Sequence, residues 1–318
     1  MRTRLDEARY REAERALWAA YGLEPREHWV TVPSLGIRVR VLECGAGVPG
    51  TAALFVHGTP TAGGVFASLV AALQAGGGRR CLVLDRPGCA LSDPLPVGSL
   101  GADAGEAIAA VLGAVAGELG DGPVHVVGNS AGGMAAIQFA ARRPAQVASV
   151  VLDGVPAVAG MTLPAPMRLA TLRPVAGVVS RWRVSERDFV RSLRGMGHGA
   201  LIDRGGLTRE QLDWRVALAN HTDTYAHEFA LLRAFASVRG LRPGWAPDAS
   251  VLARVEAPSL WIVGERDPFG RADAVARWAA HVSRSRVEVR PGEGHQPWLD
   301  APADHADLFH SFWKNRDS

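Results

Sequence analysis

An α/β fold is predicted: a mostly parallel eight-stranded sheet, helices on both faces, and an all-helical insertion before the last strands. Three observations carry it. Short buried β runs alternate with helix-forming stretches up to about residue 154, the arrangement that links parallel strands through crossover helices. Between about 155 and 246 those β runs disappear, and Arg, Gly and Pro become frequent. Strand runs return at Ser259. At 318 residues, 47% of them hydrophobic, the chain suffices for one large domain with an insertion, or for two domains. The predicted division is a core of residues 1–154 and 247–318 with a helical cap domain of residues 155–246.

In chain order, residues 4–22 place Tyr10, Ala13, Leu17 and Tyr21 at helical spacing among Arg and Glu, which predicts an amphipathic helix on the outside of the domain. Residues 28–33 and 36–43 alternate as two antiparallel strands around a turn at 34–36. Ala52 to Val56 reads as a buried strand ending in His57-Gly58-Thr59-Pro60, followed by a helix over 65–74. Cys81 to Leu84 is the next strand, ending in Asp85-Arg86-Pro87-Gly88, and an Ala/Gly-rich helix is expected over 101–118. Val124, Val126 and Val127 open a further strand, and Ser149 to Leu152 another, ending at Asp153. In the insertion, Ser185 with Asp188 and Thr208 with Gln211 read as capping boxes at helix starts. The final elements are a strand at 259–263, a helix at 271–282, a short strand at 287–289 and an amphipathic helix at 301–314.

Composition removes several function classes. The net charge is +3, from 35 basic and 32 acidic residues without a basic cluster, so no nucleic-acid partner is expected. Lys314 is the only lysine, which leaves no candidate for a P-loop or a Schiff base. No run of 18 apolar residues predicts a membrane span, and the charged N-terminus does not read as a signal peptide. Cys44, Cys81 and Cys89 are too few and scattered for a disulfide framework or a zinc site. A cytoplasmic setting and no metal or other cofactor are expected.

The strand at 124–127 breaks at Gly128-Asn129-Ser130-Ala131-Gly132, and a helix-forming stretch from Met134 follows. Strand, sharp turn and helix with a Ser at the apex form the G-x-S-x-G nucleophile elbow. The turn strains the Ser backbone, and only residues with little or no side chain fit beside it. Alone, these five residues equally fit an ordinary strand–helix turn. A Ser hydroxyl also needs a base and a group that orients the base. Gly264-Glu265-Arg266-Asp267 follows one later strand, and Gly292-Glu293-Gly294-His295 follows the last. Ser130, Asp267 and His295 therefore stand in the chain order Ser, acid, His, each after a strand end. In parallel sheets such ends share one rim.

These motifs, with His57-Gly58-Thr59-Pro60, Asp85-Arg86-Pro87-Gly88 and Ser92, resemble the α/β-hydrolase family over nearly the whole chain, specifically its capped esterase, epoxide hydrolase and dehalogenase-like branch. The resemblance implies Ser130 as nucleophile, His295 as general base and acid, Asp267 as its orienting partner, and the backbone N–H groups of Thr59 and Ala131 as oxyanion hole. Ser130 stands where epoxide hydrolases and dehalogenases of this branch carry Asp. The proline iminopeptidase motifs, His-Gly-Gly-Pro-Gly and Asp-Gln-Arg-Gly, are not matched. Some relatives take the acid from the strand after the nucleophile helix, which makes Asp153 the alternative to Asp267. His57 is implied to shape the oxyanion turn, and His125 to pack in the core. His198 has the weaker reading of a cap-loop residue. Asp223 and His227 have metal-ligand spacing but no further ligand pattern, so a solvated helix face is favoured. For Trp182, Trp214 and Trp245 core packing is the default, with some facing the pocket.

The expected activity is hydrolysis of a small to medium hydrophobic carboxylic ester through an acyl-enzyme. Alternatives on the same triad are carbon–carbon bond, lactone or thioester hydrolysis, acyl transfer and perhydrolase chemistry. A non-hydrolytic cyclase or lyase, and a ligand-binding receptor on the same fold, complete the alternatives.

Overall fold

The computed structural model describes residues 6–48, 50–99, 104–172, 183–242 and 244–314. Helix α1 (Glu7–Ala20) precedes a hairpin of β1 (Arg26–Val32) and β2 (Ile37–Cys44). There follow β3 (Ala53–Val56), α2 (Ala67–Ala75), β4 (Cys81–Leu84), α3 (Ala104–Leu119), β5 (Val124–Gly128), α4 (Ala131–Arg142) and β6 (Val147–Asp153). The insertion carries α5 (Ala165–Ala170), α6 (Glu186–Gly195), α7 (Gly199–Asp203), α8 (Arg209–His221), α9 (Thr224–Phe235), β7 (Ala236–Ser237) and β8 (Gly240–Leu241). The chain then runs through α10 (Ala249–Leu252), β9 (Ser259–Gly264), α11 (Ala272–Ala279), β10 (Ser285–Arg290), α12 (Pro297–Asp300) and α13 (Pro302–Trp313).

The main sheet has eight strands in the order β1-β2-β4-β3-β5-β6-β9-β10. β2 is antiparallel to both β1 and β4, and every other pairing is parallel. β3, β4, β5 and β9 are buried at every position, because helices cover both faces. α3 and α4 pack together on one face, and α2 and α13 on the other. The carboxyl ends of β3, β4, β5, β6, β9 and β10 lie along one rim, which brings the loops after them together. No helix among the described residues is long and apolar enough to cross a membrane.

Both capping boxes form: the Ser185 and Thr208 hydroxyls accept from the N–H groups of Asp188 and Gln211, whose side chains accept from the cap N–H groups in return. The insertion is not all helical. β7 and β8 make a two-stranded ribbon that turns at Val238 and Arg239 and enters β8 at Gly240, whose φ of +116° suits glycine. Two-residue strands are too short for a period-2 pattern to register. The amphipathic helix α1 lies outside the sheet as expected, but its apolar face is covered by the insertion. It packs on α8, with the Asp6 N–H donating to the His221 carbonyl at 2.9 Å and Trp214 wedged against Gly64 and Leu17. The start of the helix expected over 101–118, and Trp182, fall outside the described residues.

Candidate active site

Ser130 sits at the tip of the turn between β5 and α4, with φ +54° and ψ −115°. A non-glycine residue there carries strain of about 1–3 kcal/mol, which the surrounding packing holds in place. Its neighbours explain the glycines. A Cβ on Gly132 would overlap the Val56 carbonyl, and one on Gly128 would lie 2.5 Å from the Gly132 carbonyl oxygen. A Cβ on Gly58 would lie 3.0 Å from the Ser130 Cβ, so the loop after β3 runs directly against the serine. The Ala131 N–H, next to the apex, opens helix α4, where N–H groups face outward toward negative charge.

Asp267, in the loop after β9, is held by three donors. The Val155 N–H reaches Oδ2 at 3.0 Å, the Phe269 N–H reaches Oδ1 at 2.9 Å, and His295 Nδ1 lies 2.8 Å from Oδ2. An imidazole nitrogen facing a carboxylate carries the proton, so the neutral ring presents Nε2 as an acceptor. The Phe269 ring lies 4.1 Å from the His295 ring and packs against it. Among the described residues no hydrogen bond joins the Ser130 hydroxyl to the His295 ring. The connection runs through Asn129 instead: its Nδ2 donates to the His295 carbonyl at 2.9 Å and to the Asp153 carbonyl at 2.7 Å. The residue beside the serine thus pins the backbone of His295.

Asp153, the alternative acid, faces a different imidazole. Its Oδ2 lies 2.9 Å from His305 Nδ1, and His305 Nε2 lies 2.9 Å from Glu293 Oε2. All three side chains are buried. With a carboxylate at each nitrogen, His305 is an imidazolium, and against the cost of burial Asp153 and Glu293 push its pKa up to about 9. Burial pushes Asp153 up as well, against its own pairing. The stabilisation is complete below the unfolded value of 6.5 and disappears as pH rises through about 9. It amounts to about 3 kcal/mol at most, because the rise at Asp153 works against it. His305→Gln is expected to lower unfolding free energy at about pH 6, with the gap to wild type closing by about pH 10. Denaturant titrations at both pH values check this, and a gap that does not change between them would refute the charged triad.

Asp85, just after β4, makes no hydrogen bond to Ser130 or His295 among the described residues. It accepts from the Gly63 N–H at 2.8 Å and from Arg40 at 3.0 Å, and burial lifts its pKa to about 7. His57 is a loop residue, as implied: Nδ1 donates to the Gly58 carbonyl at 2.9 Å and Nε2 accepts the Arg86 N–H at 3.0 Å. Burial lowers its pKa, in keeping with a neutral ring. Arg86 continues the connection. Its Nη2 reaches the Gly58 carbonyl at 3.2 Å, Thr59 Oγ1 at 3.3 Å and Glu228 of α9 at 2.7 Å, joining the Thr59 loop to the insertion.

The family model of the alpha/beta hydrolase fold matches residues 52–302. The chain belongs to the α/β-hydrolase family. A 2-hydroxy-6-oxononadienedioate/2-hydroxy-6-oxononatrienedioate hydrolase of Pseudomonas putida is 29% identical over 237 residues, 73% of this chain and 74% of that one. The corresponding Klebsiella pneumoniae hydrolase is 27% identical over 279 residues, 88% of this chain and 90% of its own. Among solved structures, a Bacillus subtilis carboxylesterase superposes with a TM-score of 0.73 at 17% identity, covering 97% of this chain and 98% of that one. A serine hydrolase involved in carbazole degradation superposes with a TM-score of 0.71 at 19% identity, covering 92% and 100%.

In this α/β hydrolase a cavity beside Ala131 is lined mainly by apolar side chains, among them Leu95, Ile108, Met134, Leu231, Phe235 and Trp245, with Arg86 at its edge. Trp245 therefore faces the cavity, while Trp214 is core. His125 is core too, bonded to Ser149 at 2.8 Å and stacked on Trp313. His227 lies against the Gly88 turn, where a Cβ would collide with its ring. Sequence reasoning missed Arg215 of α8, which is buried. Nη2 donates to Gln296 Oε1 at 3.2 Å, Nε has no hydrogen-bond partner and no carboxylate pairs with the group, both among the described residues. Burial lowers its pKa to about 10. An Arg beside a Trp on a helix has no local signature of such a role. His198, read from the sequence only as a cap-loop residue, bonds to the His295 loop, a contact that arises only when distant segments meet.

Proposed function

We propose that this hydrolase is a serine hydrolase working through an acyl-enzyme. Ser130 Oγ attacks a substrate carbonyl, His295 Nε2 takes its proton and passes it to the leaving group, and Asp267 orients the ring and stabilises its charged form. The N–H groups of Thr59 and Ala131 receive the developing oxyanion, each donor contributing about 3 kcal/mol. Water then releases the acyl group. The insertion of residues 155–246 serves as a cap over a core of residues 1–154 and 247–318. The observation that carries this reading is the 2.8 Å pair of His295 and Asp267, anchored by Asn129 next to the strained Ser130.

The apolar cavity beside Ala131 supports a hydrophobic acyl group, as in a carboxylic ester. Arg215 favours a second reading for the substrate. A buried guanidinium without a counter-charge is costly, and a substrate carboxylate would relieve the cost. The relatives' names describe oxo-dicarboxylates, and carbon–carbon hydrolysis of an oxo acid uses the same residues. The dienol first ketonises, its proton passing to the carbon next to the ketone. Serine attack then gives a tetrahedral oxyanion, whose collapse breaks the bond to that carbon. The electron pair leaves as the dienolate, which is protonated. Water then frees the new carboxylic acid.

The test sets a 2-hydroxy-6-oxo-dienoate, followed by loss of its conjugated absorbance, against p-nitrophenyl esters of increasing acyl length. Arg215→Met is expected to raise KM for the acid by about ten- to a hundredfold, the value of one charge-assisted hydrogen bond, and to cost neutral esters less. An equal loss on both substrates would remove the case for an acidic substrate. No turnover of either by wild-type enzyme would remove both readings.

A further inference from the structure

The insertion grips the His295 loop at the turn between α6 and α7. The Met196 carbonyl accepts the His295 N–H at 2.9 Å. His198 Nε2 accepts the Gln296 N–H at 3.2 Å. On the other side of its ring, His198 Nδ1 donates to Asp300 Oδ2 at 2.7 Å, and that oxygen also accepts the Gly294 N–H at 3.0 Å. Three consecutive N–H groups, 294 to 296, are thus held by this turn and by the carboxylate that His198 engages. The fit leaves no slack. A Cβ on Gly294 would lie 2.6 Å from the Met196 carbonyl oxygen and 2.7 Å from the His198 ring, and one on Gly197 would lie 2.5 Å from the Arg266 carbonyl oxygen.

We propose that His198 is a positioning residue: from the insertion it fixes the backbone on either side of His295 and so aims the catalytic imidazole. This rests on the serine-hydrolase reading above. His198 is fully buried, and its bonds are to Asp300 and Gln296, so it acts through the loop and not on the reacting atoms. Accepting at Nε2 while donating at Nδ1 requires a neutral ring. The charged groups around it are Asp300, Arg204, which donates to the Asp300 carbonyl, and His295 itself across the loop. Gln296 is the shared contact: its backbone is held by His198, and its side chain accepts from Arg215. A placement error of about 1 Å at a reacting group costs up to about a hundredfold in rate, so a bracket on three successive amides bears directly on turnover.

The test measures the rate of labelling by a fluorophosphonate across pH, which reads serine activation without needing the natural substrate. His198→Ala is expected to label at least about tenfold more slowly than wild type. His198→Gln is expected to label close to the wild-type rate, since its amide offers one acceptor and one donor like the neutral ring. Asp300→Ala, which removes the one oxygen that accepts both from His198 Nδ1 and from the Gly294 N–H, is expected to label as slowly as His198→Ala. A folded His198→Ala or Asp300→Ala protein with the wild-type rate would overturn the proposal. So would a His198→Gln protein as slow as His198→Ala. Wild type that resists labelling, or labels equally after Ser130→Ala, would overturn the serine-hydrolase reading and this inference with it.

Discussion

Ser130→Ala is expected to lower kcat on any turned-over substrate by a factor on the order of 10⁴–10⁶, leaving KM and thermal stability nearly unchanged. The size of the loss follows from the division of labour. In the proposed mechanism, His295 and Asp267 have no nucleophile to activate without the hydroxyl, and what remains is binding and the oxyanion donors. Stability should not suffer, because the replaced atom lies at the apex of a turn whose packing is carried by Gly58, Gly128 and Gly132. Relief of the strain at φ +54° is not part of the expectation, since Ala at that position is strained as well. Steady-state kinetics with a burst-phase measurement checks both halves. A variant retaining more than about one per cent of wild-type kcat would mean that covalent attack by this residue is not the reaction.

Asp267→Asn is expected to lower kcat by about 10⁴-fold, because an amide no longer stabilises the imidazolium and favours the wrong tautomer of His295. Asp153→Asn is expected to do the opposite: near-normal kcat per folded molecule, with stability lower by about 3 kcal/mol as the buried charges of His305 lose a partner. The geometry behind the contrast is plain. Both carboxylates follow strand ends, yet Asp267 faces His295 at 2.8 Å, whereas Asp153 faces His305 at 2.9 Å. Kinetics paired with denaturant unfolding separates the two effects. If Asp153→Asn were the inactive variant and Asp267→Asn the active one, the acid would be misassigned.

Three buried charged clusters each tie a loop to the frame. His305 joins Asp153 to Glu293, two residues before His295. Arg40 joins Glu14 of α1 to Asp85 at the end of β4. Arg86 joins the loop of Thr59 to Glu228 of the insertion. Buried ion pairs contribute little net stability compared with apolar packing, but removing one partner costs several kcal/mol. Their value here is directional: each fixes the approach of one loop to the rim on which Ser130 stands.

The eight strands were legible because each signal is local. Val124, Val126 and Val127 form a strand for the same reason in any context, and Ser185 and Thr208 start helices through bonds only three residues long. The elbow was legible because its glycines answer a steric demand made within one turn, and the order Ser130, Asp267, His295 because connectivity is written along the chain. The two-residue ribbon at Ala236 and Gly240 was not legible, being too short to carry a period. Pairings across the molecule were not legible either. Which carboxylate meets which imidazole, why Arg215 stays without a counter-charge, and how His198 reaches the loop of His295 depend on segments between 28 and 152 residues apart arriving at one rim. Local propensity has no reach over such distances. Close packing and the pairing of buried polar groups choose the partners, and those forces act only between segments that the tertiary structure has brought into contact.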